Sequence, residues 1–266
     1  MTEHTDPGHL LRDWRERRRL SQLELACEAD ISSRHLSFVE TGRSRPSRRL
    51  LLRLGEVLEL PLRERNRLLL AAGFAPAFAE RTLAEPSMAQ ASAVLQQVLQ
   101  AHEPNPALVV DGHWNLVLAN RAASRLLDWV DPALRTPPVN LLRLSLHPRG
   151  LAPHIINLGE WRHHLLARLR RLALQQHDPT LLALLQELSA WPPLPDESAP
   201  TQFESTLPEL AMLFRLRTPV GELALLGTLT VFGSPLDVTL SELALEAFYP
   251  ADAASAERLR ALAGSD

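Results

Sequence analysis

Residues 21–47, SQLELACEADISSRHLSFVETGRSRPS, constrain this chain more than any other stretch. Ser21 followed by Glu24 is a capping box: the hydroxyl accepts from an otherwise unpaired amide, and the carboxylate reaches back to the N–H of the cap. In the short helix so started, Leu23 and Ala26 are expected on one face with Cys27 beside them, and Ala26 is small enough for a second helix to cross closely. Asp30 falls at the turn, where a left-handed backbone is needed that Asp tolerates. Ser32 then caps a second helix with Ile31, Leu36 and Val39 towards a core, leaving Ser33, Arg34, Ser37 and Phe38 on the opposite face. Gly42 closes that helix and Ser47 starts the next.

Short polar groups and one Arg at the start of a second helix suit contact with base edges and phosphates in a major groove. An ordinary helical hairpin would share the caps. It would not share Arg43, Arg45, Arg48, Arg49 and Arg53, crowded into residues 43–53. From about Gly8 to Gly73 the pattern resembles the five-helix Cro/434-repressor (Xre) type of helix-turn-helix domain. The resemblance implies that Gln22 grips a phosphate, that Ser33, Arg34, Ser37 and Phe38 face bases or adjoining backbone, and that Arg43 and Arg45 lie along phosphates. Ser32 and Arg48 belong to the same expected surface. Phe38 departs from the polar residue more usual there, and reads either as a contact to a thymine methyl or as local packing. The partner implied is double-stranded DNA with a two-fold operator, read by a homodimer at half-sites about 34 Å apart.

The 266 residues suffice for two domains. A net charge of −3 hides an asymmetry: residues 1–75 hold 14 Arg against 11 acids, and the remainder 14 Arg against 20. A mildly basic head on an acidic body suits a nucleic-acid reader joined to something that should not touch DNA. All 28 basic residues are Arg, which fits a GC-rich bacterial genome better than a functional demand. The single cysteine, Cys27, excludes an intramolecular disulfide and any multi-cysteine metal site, and fits a reducing cytoplasm. No apolar run approaches the roughly 18 residues of a membrane span, and the N-terminus lacks a signal-peptide pattern, so a cytoplasmic protein without a membrane partner is expected.

Along the chain, helices are predicted over about His9–Arg19 (Leu10, Leu11 and Trp14 inward), Ser47–Leu58 (Leu51, Leu54 and Leu58 inward) and from Pro61 to Gly73. Residues 76–90, with two prolines, read as a linker between a domain at 1–75 and another at 91–266. A helix over Ala91–His102 is followed by ALVVDGHWNLVLAN. There Asp111-Gly112 between two apolar runs predicts a tight hairpin with positive φ at both residues. Asn120 caps a helix to Trp129. Strand, turn, strand and an Asn-started helix resemble the entry to a PAS-type sensor domain. A helical middle carries Trp161, Leu165, Leu169 and Leu172 at helical spacing, and Asp178-Pro179 starts a further helix. Strands are predicted at Glu209–Arg217 and Glu222–Phe232, giving at least four in one antiparallel sheet. The closing stretch FGSPLDVTLSELALEAFYPAD, with RNRLLLAAGFAP, EPNPALVVDGHWNLVLAN and PHIIN, is similar to the MmyB-like ligand-binding domain that follows an Xre-type head in bacterial regulators. That resemblance implies an α+β, PAS-like fold with an inserted helical section and a small-molecule role, and names no ligand.

Other chemistry is weak. His163 and His164 point about 100° apart on a helix, His147 and His154 lack nearby ligands at suitable spacing, and no metal site is expected. Ser234 and Ser145 lack the surroundings of a nucleophile, and no enzyme is expected. Asp237, Thr239, Glu242, Glu246 and Phe248 read mainly as caps and solvated faces around a core of Val238, Leu240, Leu243 and Leu245, or else as acids reaching a dimer seam or the head. No cofactor is expected beyond a bound apolar or amphipathic small molecule such as a fatty acid. Its pocket would be lined by Val109, Trp114, Leu116, Leu118, Leu229 and Phe232. The alternative is a second domain that serves dimerisation or a protein partner without a ligand.

Overall fold

The computed structural model describes residues 6–176, 178–194, 212–232 and 236–264. The chain divides into two units: one runs to Thr82 and includes residues 233–241, and the other holds residues 83–232 and the chain from Glu242 onward.

The first unit holds α1 (Pro7–Arg17), α2 (Gln22–Glu28), α3 (Ser33–Glu40), α4 (Arg48–Val57) and α5 (Leu62–Ala71). Both legs of the capping box form: Glu24 N–H donates to Ser21 Oγ at 3.2 Å, and Ser21 N–H to Glu24 Oε2 at 2.7 Å. Ser32 and Ser47 cap α3 and α4 through the hydroxyl alone, accepting from the N–H groups of His35 and Leu50. Asp30 takes φ 52° and Gly42 φ 70°, the left-handed turns that the sequence demands. Leu11, Leu25, Leu36, Leu51, Leu54 and Leu58 are fully buried at the centre. The expectation for α2 needs one correction. Its inward face is Leu25, Ala26 and Ala29, while Leu23 is 69% exposed. With the helix starting at Gln22, Leu23 lies about 110° round from the centre of that stripe.

The second unit opens with α6 (Ala89–Ala101), β1 (Ala107–Val110), β2 (Leu116–Ala119) and α7 (Arg121–Leu127). α8 (Leu141–Leu146), α9 (Leu158–Gln176) and α10 (Pro179–Ala190) follow. β3 (Met212–Thr218), β4 (Gly221–Val231), α11 (Val238–Glu242), β5 (Ala244–Pro250) and α12 (Ala253–Gly264) complete the described chain. The strands form one antiparallel sheet in the order β2-β1-β5-β4-β3, a PAS-like arrangement. The expected strand from Glu209 lies outside the described residues until Met212. β5, which the sequence pattern does not announce, is the centre of the sheet and pairs with both β1 and β4. Leu108, Val110, Phe214, Leu216, Leu223, Leu225 and Phe248 point to the face covered by α7 to α10, where Trp161, Leu165 and Leu169 meet them.

The hairpin between β1 and β2 is wider than a two-residue turn. The Asp111 carboxylate accepts from the backbone N–H groups of His113 and Asn115 and from the Asn115 amide, and so wraps a five-residue loop around itself. Positive φ falls on Trp114, at 66°, and not on Asp111 or Gly112. A left-handed tryptophan is strained. It is held by Leu141 N–H donating to the Trp114 carbonyl at 2.9 Å, and by Leu116 N–H donating to the Val139 carbonyl at 2.8 Å.

Candidate nucleic-acid interface and ligand cavity

In the helical unit, Ser33 and Arg34 are exposed in the first turn of α3, with Ser37 and Phe38 half-buried one turn later. Arg34 stacks its guanidinium over the Phe38 ring at 5.3 Å, so Phe38 packs locally and braces the arginine. Ser32 is exposed as the cap, its hydroxyl engaged by the His35 N–H. Arg43, Arg45 and Arg48 are exposed on the loop to α4 and its first turn, and form no ion pair with the described residues. Gln22 is more committed than expected: its amide donates to Glu40 Oε2 at 2.7 Å.

That bond exposes a feature that sequence reasoning missed. Glu40, at the inner end of α3, is buried and receives Arg15 Nε at 2.7 Å and Arg15 Nη2 at 3.0 Å; Arg15 also donates to the Leu20 carbonyl. Hydrogen bonding to Glu40 holds the guanidinium charged above its ordinary range, against the opposing effect of burial. The pair ties α1 to the end of α3 and fixes Gln22 at the start of α2. A signal existed: Glu40 continues the inward stripe of Leu36 and Val39, and a charge on such a stripe demands a partner. Gly8 reinforces the crossing, since a Cβ there would sit 2.3 Å from the Val39 carbonyl oxygen.

In the sheet unit, a cavity of about 70 Å³ lies between the sheet and its helices. Its wall is almost wholly apolar, with Leu108, Trp114, Leu142, Trp161, Phe214 and Phe248 prominent. Of the six residues expected to line a pocket, the structure brings Trp114 to this wall. Leu116 packs against the neighbouring core. Val109 lies on the opposite face by alternation between Leu108 and Val110, and Leu118 pairs with it there because the register slips between Val109 and Val110. Leu229 is 40% exposed, Val231 beyond it 65%, and Phe232 follows the end of β4. Glu246 was missed as a lining residue. It lies directly opposite Leu108 on β1 and so shares its face; the alternation of Ala244, Glu246 and Phe248 along one strand was the available signal. Asp237 does act as a cap, accepting from the Thr239 N–H at 3.0 Å.

Residues 91–262, well over half the chain, match the family model described as the MmyB-like transcription regulator ligand binding domain. The chain belongs to that family. Residues 8–68 of the regulator match a helix-turn-helix domain. It joins a helix-turn-helix domain to a ligand-binding domain of the transcription-regulator type. No curated protein matches it. One similar solved structure is that of an RNA-binding light-oxygen-voltage receptor, at 14% identity, covering 97% of this chain and 63% of that one, with a TM-score of 0.28. The regulator thus spans under two thirds of that receptor's length, and the likeness is too slight to carry the fold, which rests on the sheet order. No described helix of the regulator is long and apolar enough to cross a membrane. Among the described residues no cluster of three His, Cys, Asp or Glu is placed to hold a metal ion.

Proposed function

We propose that this regulator is a cytoplasmic bacterial protein that binds a two-fold operator as a homodimer. In this reading, an apolar or amphipathic small molecule in the sheet unit changes its hold on DNA. Ser33, Arg34 and Ser37 carry sequence, while Arg43, Arg45 and Arg48 carry phosphate contacts, with Gln22 and Ser32 anchoring the helix starts. No enzymatic role is proposed.

The observation that carries the ligand-responsive reading is the route of the chain after β4. Residues 236–241 pack with the helical unit, where Val238 N–H donates to the Ala79 carbonyl at 2.8 Å and Val238 is fully buried. The Asn66 side chain clamps the same linker, accepting from Ala77 and Phe78 and donating to the Phe78 carbonyl. The chain then runs from α11 directly into β5, which carries the cavity residue Glu246. A molecule that shifts β5 therefore pulls covalently on a segment bonded to the linker of the DNA-reading helices. It can shift DNA affinity only by its differential affinity for the two arrangements.

Selection of bound duplexes from a random library, followed by titration of the winning sequence with and without extracted small molecules, tests both halves. A palindromic motif and a ligand-dependent midpoint are expected. A palindrome whose midpoint no extract moves would favour the alternative, a domain serving dimerisation or a protein partner; the cavity weighs against that alternative.

A further inference from the structure

Resting on the reading of the sheet cavity as a sensing site, we propose that it recognises a compact, uncharged, largely apolar molecule through one hydrogen-bond donor, which Glu246 accepts. Glu246 and Ser145 supply the only hydroxyl or charged groups among the residues that line the cavity. Ser145 accepts from Trp161 Nε1 at 2.9 Å and has one O–H left to donate, so the acceptor with most open capacity is Glu246. Glu246 is 8% exposed and forms no hydrogen bond with the described residues. Among the described residues its one ionic neighbour is Arg168, whose Nη1 stands 3.6 Å from Oε1, beyond hydrogen-bonding distance. A carboxylate has about four acceptor positions, and a buried one without donors is costly.

Arg168 is itself placed by the cavity wall. Its guanidinium lies over the Trp114 ring at 4.5 Å, and Trp114 is the residue held in the strained left-handed conformation. The loop that forces Trp114 inward therefore also brings a cation to Glu246, and the pair is close to neutral as a whole.

That neutrality selects the class. An anionic head beside Glu246 would add like charge in a low-dielectric site, and a cationic head would leave Arg168 without its counter-charge. An uncharged O–H or N–H desolvates no ion and supplies the missing donor. The cavity, at about 70 Å³, is half the ~150 Å³ that admits benzene, so the part of the molecule it encloses is smaller than a ring.

The test is an NMR titration of the full chain, following the indole N–H signals of Trp114 and Trp161, with four probes of one size. These are ethanol, its isomer dimethyl ether, acetate and ethylammonium. The alcohol is expected to bind at least about tenfold tighter than the ether, which has the same atoms and no donor. Replacing the pair by apolar residues, as R168M/E246M, is expected to erase that preference while both probes still bind. Equal binding of alcohol and ether to the native chain would keep the cavity as a site and overturn the role of Glu246. Tighter binding of acetate or ethylammonium would overturn the uncharged class. Failure of all four to move either indole would overturn the sensing reading along with this one.

Discussion

Among the described residues, each unit of the regulator buries one arginine–glutamate pair, and the two are finished differently. In the helical unit, Glu40 takes two guanidinium bonds and one amide bond, all at 3.0 Å or less. In the sheet unit, Glu246 meets Arg168 at 3.6 Å. The first is a closed polar clamp whose every partner belongs to the fold. The second leaves acceptor capacity facing a cavity. The same residue types thus serve rigidity in one place and recognition in the other, and hydrogen-bond completion decides which.

The largest expected effect tests the clamp. Glu40→Ala strands the Arg15 guanidinium in a buried site and frees Gln22, which should cost the helical unit about 3–5 kcal/mol. Amide hydrogen exchange at Leu36 and Val39 should lose protection while the amides of β4 and β5 keep theirs. Protection lost equally in both units would mean that they do not unfold separately, and the comparison would fail.

The matching change in the sheet unit should go the other way. R168M/E246M removes two desolvated charges, and after the lost stacking on Trp114 the unit should gain about 1 kcal/mol at neutral pH. Burial raises the Glu246 carboxyl above its ordinary 4.5, with Arg168 opposing. A raised acid favours the folded state while it is protonated. Its contribution is therefore full below pH 4.5 and lost as pH rises from there through the folded-state value. Melting of the native sheet unit across this window should show that decline, and the double variant should be flatter. A steeper decline in the variant would mean that Glu246 is stabilised as an anion.

These contrasts also mark what the sequence made legible. Ser21, Ser32 and Ser47 cap helices whose amides lie three residues away, so each cap is a local fact and readable as one. Arg15 and Glu40 are 25 residues apart, and only the stripe containing Glu40 hinted at their meeting. β5 was hidden because ALEAFYP mixes helix formers with strand formers, and its central place depends on partners more than a hundred residues upstream on β1. Asp111-Gly112 marked a turn correctly and its type wrongly, since three bonds to the Asp111 carboxylate outweigh the preference of the dipeptide. Strand alternation puts Leu116 and Leu118 on one face, and one bulge in the β1–β2 register moves Leu118 to the far face.

On the exposed side of the helical unit, Arg34→Ala should relax preference at one base position by about 1–3 kcal/mol, read as affinity for single-base variants of the selected operator. Arg45→Ala should instead weaken all sequences alike and flatten the salt slope by about one. An unchanged preference in the first variant would leave Arg34 as a support for Phe38 only.

The smallest expected effect compares two left-handed residues. Asp30 and Trp114 have φ of 52° and 66°, yet only Trp114 has a side chain that lines a cavity and holds a cation. Asp30 is exposed, and its carboxylate lies 3.4 Å from Arg53 in an ion pair open to solvent, worth little. Asp30→Gly relieves a left-handed cost of about 1 kcal/mol or less for Asp and adds roughly 0.5–1 kcal/mol of chain entropy to the unfolded state. The two nearly cancel. Urea denaturation should therefore move by under about 0.5 kcal/mol, with operator affinity unchanged. A loss above about 1 kcal/mol would show that Asp30 holds the turn through its side chain, and would place its strain beside that of Trp114 as strain kept for a purpose.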